Sequence, residues 1–539
     1  MNVDPLAVYF VTSGAAGNAL LFKYPHENEK EECFEVLEET ENIDYENCEL
    51  PVSLFDDFRI ERYKQFLILK DCLKQVNDPN RLKSASNLRQ GRTVDIEDIT
   101  IEHLLAVNNL LCNNKFELKI SDVIFVGFPI LALPEHSTRK DSTSLMSFHI
   151  AFALNGNSSS HIIELYQELS RRLAVSLRFE QERCNYLSDQ KNLIWAIRDE
   201  IDNVPEDQRE CPFRLILQDD KCTIALLLRE VYLGLCNTGI VEVRVNNLVR
   251  VSFCIPEKVH NPSQQNFVIS FSQIERHINS IRPYHSFIIT EKKEDLLQKL
   301  QPEANPNLVR IIKVANVTKS LPELANLADL PIQHVFDSVA HLVYWGKALV
   351  IYPLCEHNVY CVSPSADCRP NSTLADSFFD ECKRKLPDVL SQFSLPTRVG
   401  DLFSVFNKRQ QKMQITEIIK WLLRHKQIIQ HHTYVYLEKY DEKPKTNPIS
   451  IEVNDSINEE LNKYPDIKDI LQSCPAAQNE EDLKLFLSIV PHLNGEHHIE
   501  DIMYRENMKR STILTILDKF RDVVCVNERE DAGISYWIS

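Results

Sequence analysis

The strongest constraint on the fold is the stretch from Ser160 to Asn203. Ile162, Leu165, Tyr166, Leu169, Leu173 and Leu177 recur there at three- and four-residue spacing, and Leu187, Ile194, Ile197 and Ile201 continue the stripe. That period puts the apolar side chains on one side of an α-helix, and such a stripe has to be covered. The preceding segments supply the cover. Leu6 to Thr12 and Ala19 to Tyr24 are apolar runs around Ser13-Gly14-Ala15-Ala16-Gly17-Asn18, a strand, turn and strand. Phe116 to Leu133 alternates apolar with polar residues, and Met146 to Leu154 is apolar enough for a strand buried on both faces, closed by Asn155-Gly156. Strands first and long helices after predict an α+β layer, with helices packed on an antiparallel sheet.

At 539 residues the chain is long enough for about three to five domains. The first, 1–204, carries a strongly acidic insertion at about 27–57, with weak periodicity. Apparent helical pieces follow between Phe58 and Leu111. Asn203-Val204-Pro205 is a break, and 205–304 reads as a small intermediate domain. It has strands at Val241–Val245, Val249–Ile255 and Ser286–Thr290 and a helix at Ile274–Ile281. In 305–440, helices at Leu308–Val314, Leu321–Asp329 and Ile332–Trp345 precede a hairpin of Ala348–Tyr352 and Asn358–Val362. That is the order of a winged helix, and Ile415–His425 and Tyr434–Leu437 extend it. The polar segment 441–465 is a linker. In 466–539 the order repeats, with helices at Leu483–Val490, Ile499–Tyr504 and Ser511–Phe520 and strands at Val523–Val526 and Ile534–Ile538.

Composition narrows the function classes. Eleven glycines are roughly a third of the usual share, which disfavours a phosphate or dinucleotide cradle. A net charge of −18 disfavours a nucleic-acid surface and suits protein partners. The 15 cysteines include no C-x-x-C pair, and Cys355, Cys361 and Cys368 are too widely spaced for a zinc ribbon. Met1-Asn2-Val3-Asp4-Pro5 has neither a basic nor a long apolar leader region, so reduced, mostly buried thiols in a cytosolic protein are expected. No apolar stretch reaches the ~18 residues of a membrane span.

The chemistry-bearing candidates each have a plain structural reading beside them. Ser13 to Asn18 is Gly-rich after a strand, but it leads into another apolar run, which favours a hairpin turn over a phosphate loop. His492, His497 and His498 with Glu500 and Asp501 match no metal-binding spacing, and the acids suit the first turn of a helix. His431-His432 has no carboxylate nearby in sequence. Lys509, Arg510, Lys519 and Arg521 on the last helix are interleaved with Glu506, Asp518 and Asp522, favouring a solvated or protein-binding face over DNA readout. Arg139, beside Lys140 in the polar loop Pro134–Thr143, could reach a GTPase as an arginine finger, though nothing in the loop fixes its geometry. No catalytic, cofactor-binding or metal-ligating residue is assigned.

Several segments carry a resemblance. They are Val11-Thr12-Ser13-Gly14 through Tyr24-Pro25, Lys115 to Ile120 with Phe125-Val126-Gly127, Ile281-Arg282-Pro283-Tyr284-His285, Ala340 to Cys355, Pro475 to Asn479, and Asp518 to Arg521. In these the chain resembles the nitrogen permease regulator three-like family. The acidic insertion and the 441–465 linker do not share the likeness. The resemblance implies an N-terminal longin-type domain paired with that of a sister subunit, the nitrogen permease regulator two-like protein. A small intermediate domain and C-terminal winged-helix-type modules would follow. With a large DEP-domain subunit the pair would form the first GATOR complex, which stimulates GTP hydrolysis by Rag GTPases at the lysosomal surface and silences the target-of-rapamycin complex under amino-acid starvation. It places the catalytic Arg in the sister subunit, leaving this chain a non-catalytic scaffold without cofactor or nucleic-acid partner. The alternative is a longin-type trafficking factor promoting nucleotide exchange on another small GTPase.

Overall fold

The computed structural model describes residues 3–14, 17–26, 98–107, 111–132, 145–203, 211–261, 269–300, 304–369, 372–402, 408–437, 475–531 and 533–535. The acidic insertion, Arg139 with Lys140, and the 441–465 linker lie outside them. The chain divides into two compact units, Met1–Val259 and His260–Ser539. The cut falls inside the 205–304 segment that the sequence sets apart.

In the first unit, β1 (Ala7–Gly14) and β2 (Gly17–Tyr24) form the expected hairpin, pairing from Val8 opposite Tyr24 to Gly14 opposite Gly17. A strand follows the Gly-rich turn where a phosphate loop would open a helix. α1 (Asp98–Leu105), β3 (Phe116–Ile120), β4 (Val123–Gly127), β5 (Ile130–Leu131) and β6 (Leu145–Asn155) come next. The sheet runs β2-β1-β6-β4-β3, with β5 also paired to β6, and each of these pairings is antiparallel. Gly127 is required on this sheet, because a Cβ there would lie 2.3 Å from His149 Nε2 and 2.6 Å from the Ile150 carbonyl oxygen.

The long helical stretch is two helices, α2 (Ser160–Cys184) and α3 (Tyr186–Asp202). Asn185 takes a left-handed conformation, φ 57°, and its N–H closes α2 on the Gln181 carbonyl. An apolar stripe cannot report such a break, because the hydrophobic period resumes on the far side. The sequence also missed α4 (Pro212–Gln218) and α5 (Thr223–Asn237). These helices, with the β7 (Ile240–Val245) and β8 (Val249–Cys254) hairpin, join the core of the N-terminal sheet. Phe213 meets Phe22 edge-on, and Tyr232 meets Tyr24. That shared core explains why 211–259 sides with the first unit.

The second unit opens with α6 (Phe271–Asn279), β9 (Ser286–Ile289), α7 (Lys293–Lys299), α8 (Pro306–Val314), α9 (Leu321–Ala328), α10 (Ile332–Tyr344) and β10 (Ala348–Ile351). The expected hairpin of Ala348–Tyr352 with Asn358–Val362 does not form. β10 pairs with β9, Ala348 opposite Ile289, and both strands are buried beneath α8 to α10. β11 (Val359–Val362), α11 (Thr373–Cys382), α12 (Leu386–Leu390), β12 (Thr397–Arg398), α13 (Lys408–Arg424) and β13 (Ile428–Leu437) follow. Last come α14 (Glu480–Ile489), β14 (Asn494–His498), α15 (Ile499–Arg505), α16 (Arg510–Lys519) and β15 (Val524–Glu530).

β13 organises this half. Its first residues pair with β11, its later ones with β14, and its other edge with β15, in a sheet of order β12-β11-β13-β14. The expected modules 305–440 and 466–539 therefore share one sheet. Strand β14 begins at Asn494-Gly495. Of the expected strand Ile534–Ile538 the described residues form a turn, with Ile534 buried in the core of α8 to α10.

Candidate functional site

Buried polar side chains concentrate where β13, β14 and α15 meet the segments Tyr284-His285 and Tyr352. His432 stands on β13 with its ring buried, and its neighbour His431 points to the opposite face. β14 opens at Asn494-Gly495 and ends in His498, the N-cap of α15. The His498 Nδ1 accepts the Asp501 backbone N–H at 3.1 Å. Glu500 lies in the first turn of that helix, where a carboxylate is favoured by the helix dipole.

His432 Nδ1 lies 3.3 Å from Glu500 Oε2, and His498 Nδ1 lies 3.1 Å from the same oxygen. Arg510 of α16 donates to Glu500 Oε1. On its far side, His498 Nε2 is 2.9 Å from the Tyr352 hydroxyl, which donates to Asp531 Oδ2 at 2.8 Å. Tyr284 stacks on Tyr352 and donates to Asp501 Oδ1 at 3.2 Å. His285 meets the Tyr352 ring edge-on. Residues of two of the segments that carry the family likeness, Tyr284-His285 and Tyr352, thus line the cluster.

Burial and partners set the charges. Burial pushes the His432 imidazole below its ordinary pKa, opposed by its bond to Glu500. Burial pulls Glu500 upward, but the adjoining imidazoles of His432 and His498 outweigh it and hold the carboxyl well below the usual carboxylate range. His285 is driven well below the ordinary value by burial and by the neighbouring His498, His277 and His432. Tyr352 is pushed far upward by burial and the Asp531 charge, so its hydroxyl stays protonated.

The histidine group read from the sequence is divided by the structure. His498 and Glu500 face His432, whereas His497 Nδ1 is 2.6 Å from Asp501 Oδ2 and His492 Nε2 is 2.9 Å from Glu506 Oε1. Among the described residues, His432, His498 and Glu500 are the group whose ligand atoms converge closely enough for a metal ion, within 4.8 Å of one another. His432 was passed over because its carboxylate is 68 positions away in sequence. Strand alternation carries no information on such a partner.

The other candidates are placed as follows. Cys361 Sγ lies 2.9 Å from His431 Nε2, and Cys355 donates to Asn358 at 2.7 Å, so two of the three spaced cysteines serve separate contacts, and Cys368 is exposed. Three of the four basic side chains on α16 and its flank face acids: Arg510 faces Glu500, Lys519 faces Asp482 at 2.5 Å, and Arg521 faces Asp522 at 3.8 Å. A helix offered to duplex DNA would have to break these pairs. Among the described residues no helix is long and apolar enough to cross a membrane.

Comparison with known proteins gives two family matches and a set of relatives. Residues 133–442 match the family model described as Nitrogen Permease regulator of amino acid transport activity 3. Residues 468–525 match GATOR1 complex protein NPRL3, C-terminal HTH, which covers α14 to α16. A Drosophila melanogaster protein named GATOR complex protein NPRL3 is 29% identical across 99% of this chain and 98% of its own. A Caenorhabditis elegans protein of the same name is 26% identical across 86% of this chain and 88% of its own. Nitrogen permease regulator 3 of Candida albicans is 25% identical over 65% of this chain and 55% of its own. With more than half of its residues inside the first of those family matches, the chain belongs to the nitrogen permease regulator 3 family.

Proposed function

We propose that this chain is the non-catalytic scaffold subunit of a GATOR1-type complex that stimulates GTP hydrolysis by Rag GTPases and so restrains target-of-rapamycin signalling when amino acids are short. The observation that carries the reading is the family match over 133–442, continued by the NPRL3 helix-turn-helix match and by end-to-end similarity to proteins named as GATOR complex members. A longin-type character for the N-terminal unit is supported by its antiparallel sheet of order β2-β1-β6-β4-β3, with α2 packed on β4 and β6. Its partner would be the longin-type domain of the nitrogen permease regulator two-like subunit, and the large DEP-domain subunit would complete the assembly at the lysosomal surface. The chain's contribution to catalysis is rigidity: it orients a neighbour's arginine finger before the GTPase arrives.

The test has two parts. Affinity purification of the chain from cells should recover the sister and DEP-domain subunits in stoichiometric amounts. The assembled complex should then accelerate Rag GTP hydrolysis equally with Arg139 or with Arg139→Ala. Loss of activity in that variant would make this chain the finger donor. Faster nucleotide release without faster hydrolysis would instead favour an exchange factor.

A further inference from the structure

We propose that His432, His498 and Glu500 form a three-ligand site for a divalent cation of the zinc class, which staples strand β13 to the C-terminal helix-turn-helix module.

The case begins with a hydrogen-bond chain that fixes a tautomer. The Tyr352 hydroxyl donates its proton to Asp531 at 2.8 Å, so at its 2.9 Å contact with His498 it accepts from Nε2–H. The Asp501 backbone N–H points at His498 Nδ1 at 3.1 Å, so that nitrogen carries a lone pair. Yet the same Nδ1 lies 3.1 Å from Glu500 Oε2, another lone-pair atom. Two acceptors therefore face each other with no proton between them, and His432 Nδ1 closes on the same oxygen at 3.3 Å. A cation among the three atoms removes the repulsion.

Distances and chemistry agree. Zinc binds imidazole nitrogen and carboxylate oxygen at about 2.0–2.2 Å, and adjacent ligands on a tetrahedron then lie roughly 3.3–3.5 Å apart. The two contacts to Oε2, 3.3 and 3.1 Å, are near that edge without rearrangement. Two imidazoles and one carboxylate form a borderline-soft set that suits zinc better than magnesium or calcium.

The surroundings have the form of an outer ligand shell. His498 presents its other ring nitrogen to Tyr352, which is held by Asp531, and Glu500 presents its other oxygen to Arg510. Arg510 lowers the site's anionic charge, and Asp531 restores a negative group one hydrogen bond further out. Binding would draw His498 Nδ1 away from its helix-capping role toward the ion, a weak contact exchanged for a strong one.

The experiment uses the full chain, stripped of metal with a chelator and titrated with zinc chloride alone. Calorimetry and elemental analysis should give one zinc per chain that is lost in His432→Gln, with unchanged circular dichroism as the check on folding. Tyr352→Phe, which keeps all three ligands, should weaken binding by roughly 10–100-fold. Cobalt substitution should give the visible bands of a four-coordinate site without a thiolate charge-transfer band. Equal zinc retention by the wild type and His432→Gln overturns the proposal. So does a cobalt spectrum dominated by thiolate, which would place the metal on the cysteines. Should His432→Gln fail to fold, the wild-type titration decides: no zinc-dependent rise in melting temperature overturns the site. Neither result bears on Rag GTPase stimulation, so this site and the proposed function fail separately.

Discussion

Two central strands, β6 and β13, show how differently this protein closes a sheet around a histidine. In β6 nearly every residue from Leu145 to Leu154 is buried, and His149 is enclosed by apolar neighbours. Its Nδ1 donates to the Leu105 carbonyl at 3.0 Å, and Nε2 has no hydrogen-bond partner among the described residues. In β13 buried and part-exposed residues are mixed, and His432 meets a carboxylate, a second imidazole and a tyrosine ring. Both imidazoles are buried and both have depressed pKa values. The first is neutral because nothing nearby rewards charge, whereas the second sits where charge is continuously negotiated by Glu500 and Arg510. Burial alone therefore does not mark a working histidine; the company of titratable groups does.

If β6 is held by packing alone, its largest sensitivity is to volume. Phe152 is completely buried and packs on Tyr166 at a centroid distance of 5.3 Å. Phe152→Ala should cost about 3–5 kcal/mol of stability, read from the denaturant midpoint of the first transition. A loss under about 1 kcal/mol would show that this sheet collapses around cavities, and the contrast with β13 would weaken.

The next effect is acid sensitivity. Burial holds the His149 imidazole down to about 4, against about 6.5 unfolded. Above pH 6.5 both states are neutral and the residue is silent. As pH falls from 6.5 toward 4 only the unfolded chain takes up the proton, so stability drops, by about 3 kcal/mol when the window has been crossed. His149→Phe should flatten the pH dependence of unfolding by close to one proton in that window. An unchanged slope would mean that His149 already titrates normally in the fold.

Glu500 is the corresponding test on the β13 side. Glu500→Gln keeps the shape but removes the charge that serves His432 and Arg510. A loss of about 2 kcal/mol is expected, since hydrogen bonds to charged groups contribute more than neutral ones. The same substitution should release Arg510, visible as faster hydrogen exchange in α16. A neutral outcome would place Glu500 with surface carboxylates, despite its contacts.

What the sequence revealed follows the range of the interactions involved. The N-terminal hairpin, β6 and the long helices were legible because period and turn chemistry are local. The break at Asn185 was hidden, since a single left-handed residue leaves the apolar stripe intact. The β9–β10 pairing was misassigned to a hairpin because nearby strands are the natural guess, and Ala348 finds Ile289 across an intervening helical segment. The His–Glu cluster was half visible: His498 and Glu500 are neighbours in sequence, but His432, Tyr352 and Asp531 arrive from three distant elements. Local patterns name the residues with chemical capacity, and only the tertiary fold selects which of them meet.

The smallest effect should come from a pair that looks strong by distance. Glu168 on α2 receives Arg171 at 2.7 Å and Arg172 at 2.9 Å, and these bonds, Arg171 first, hold its carboxyl down to about 2. Its folded pKa is depressed, so any contribution is present above about pH 4.5 and lost as pH falls toward 2. But all three side chains are about a third or more exposed, and water and salt screen such pairs. Glu168→Gln should therefore cost less than about 0.5 kcal/mol at physiological ionic strength and nothing measurable in molar salt. A salt-resistant loss above about 1 kcal/mol would show that geometry alone confers strength. It would also remove the distinction between Glu168 and the half-buried Glu500 that the contrast between the two sheets rests on.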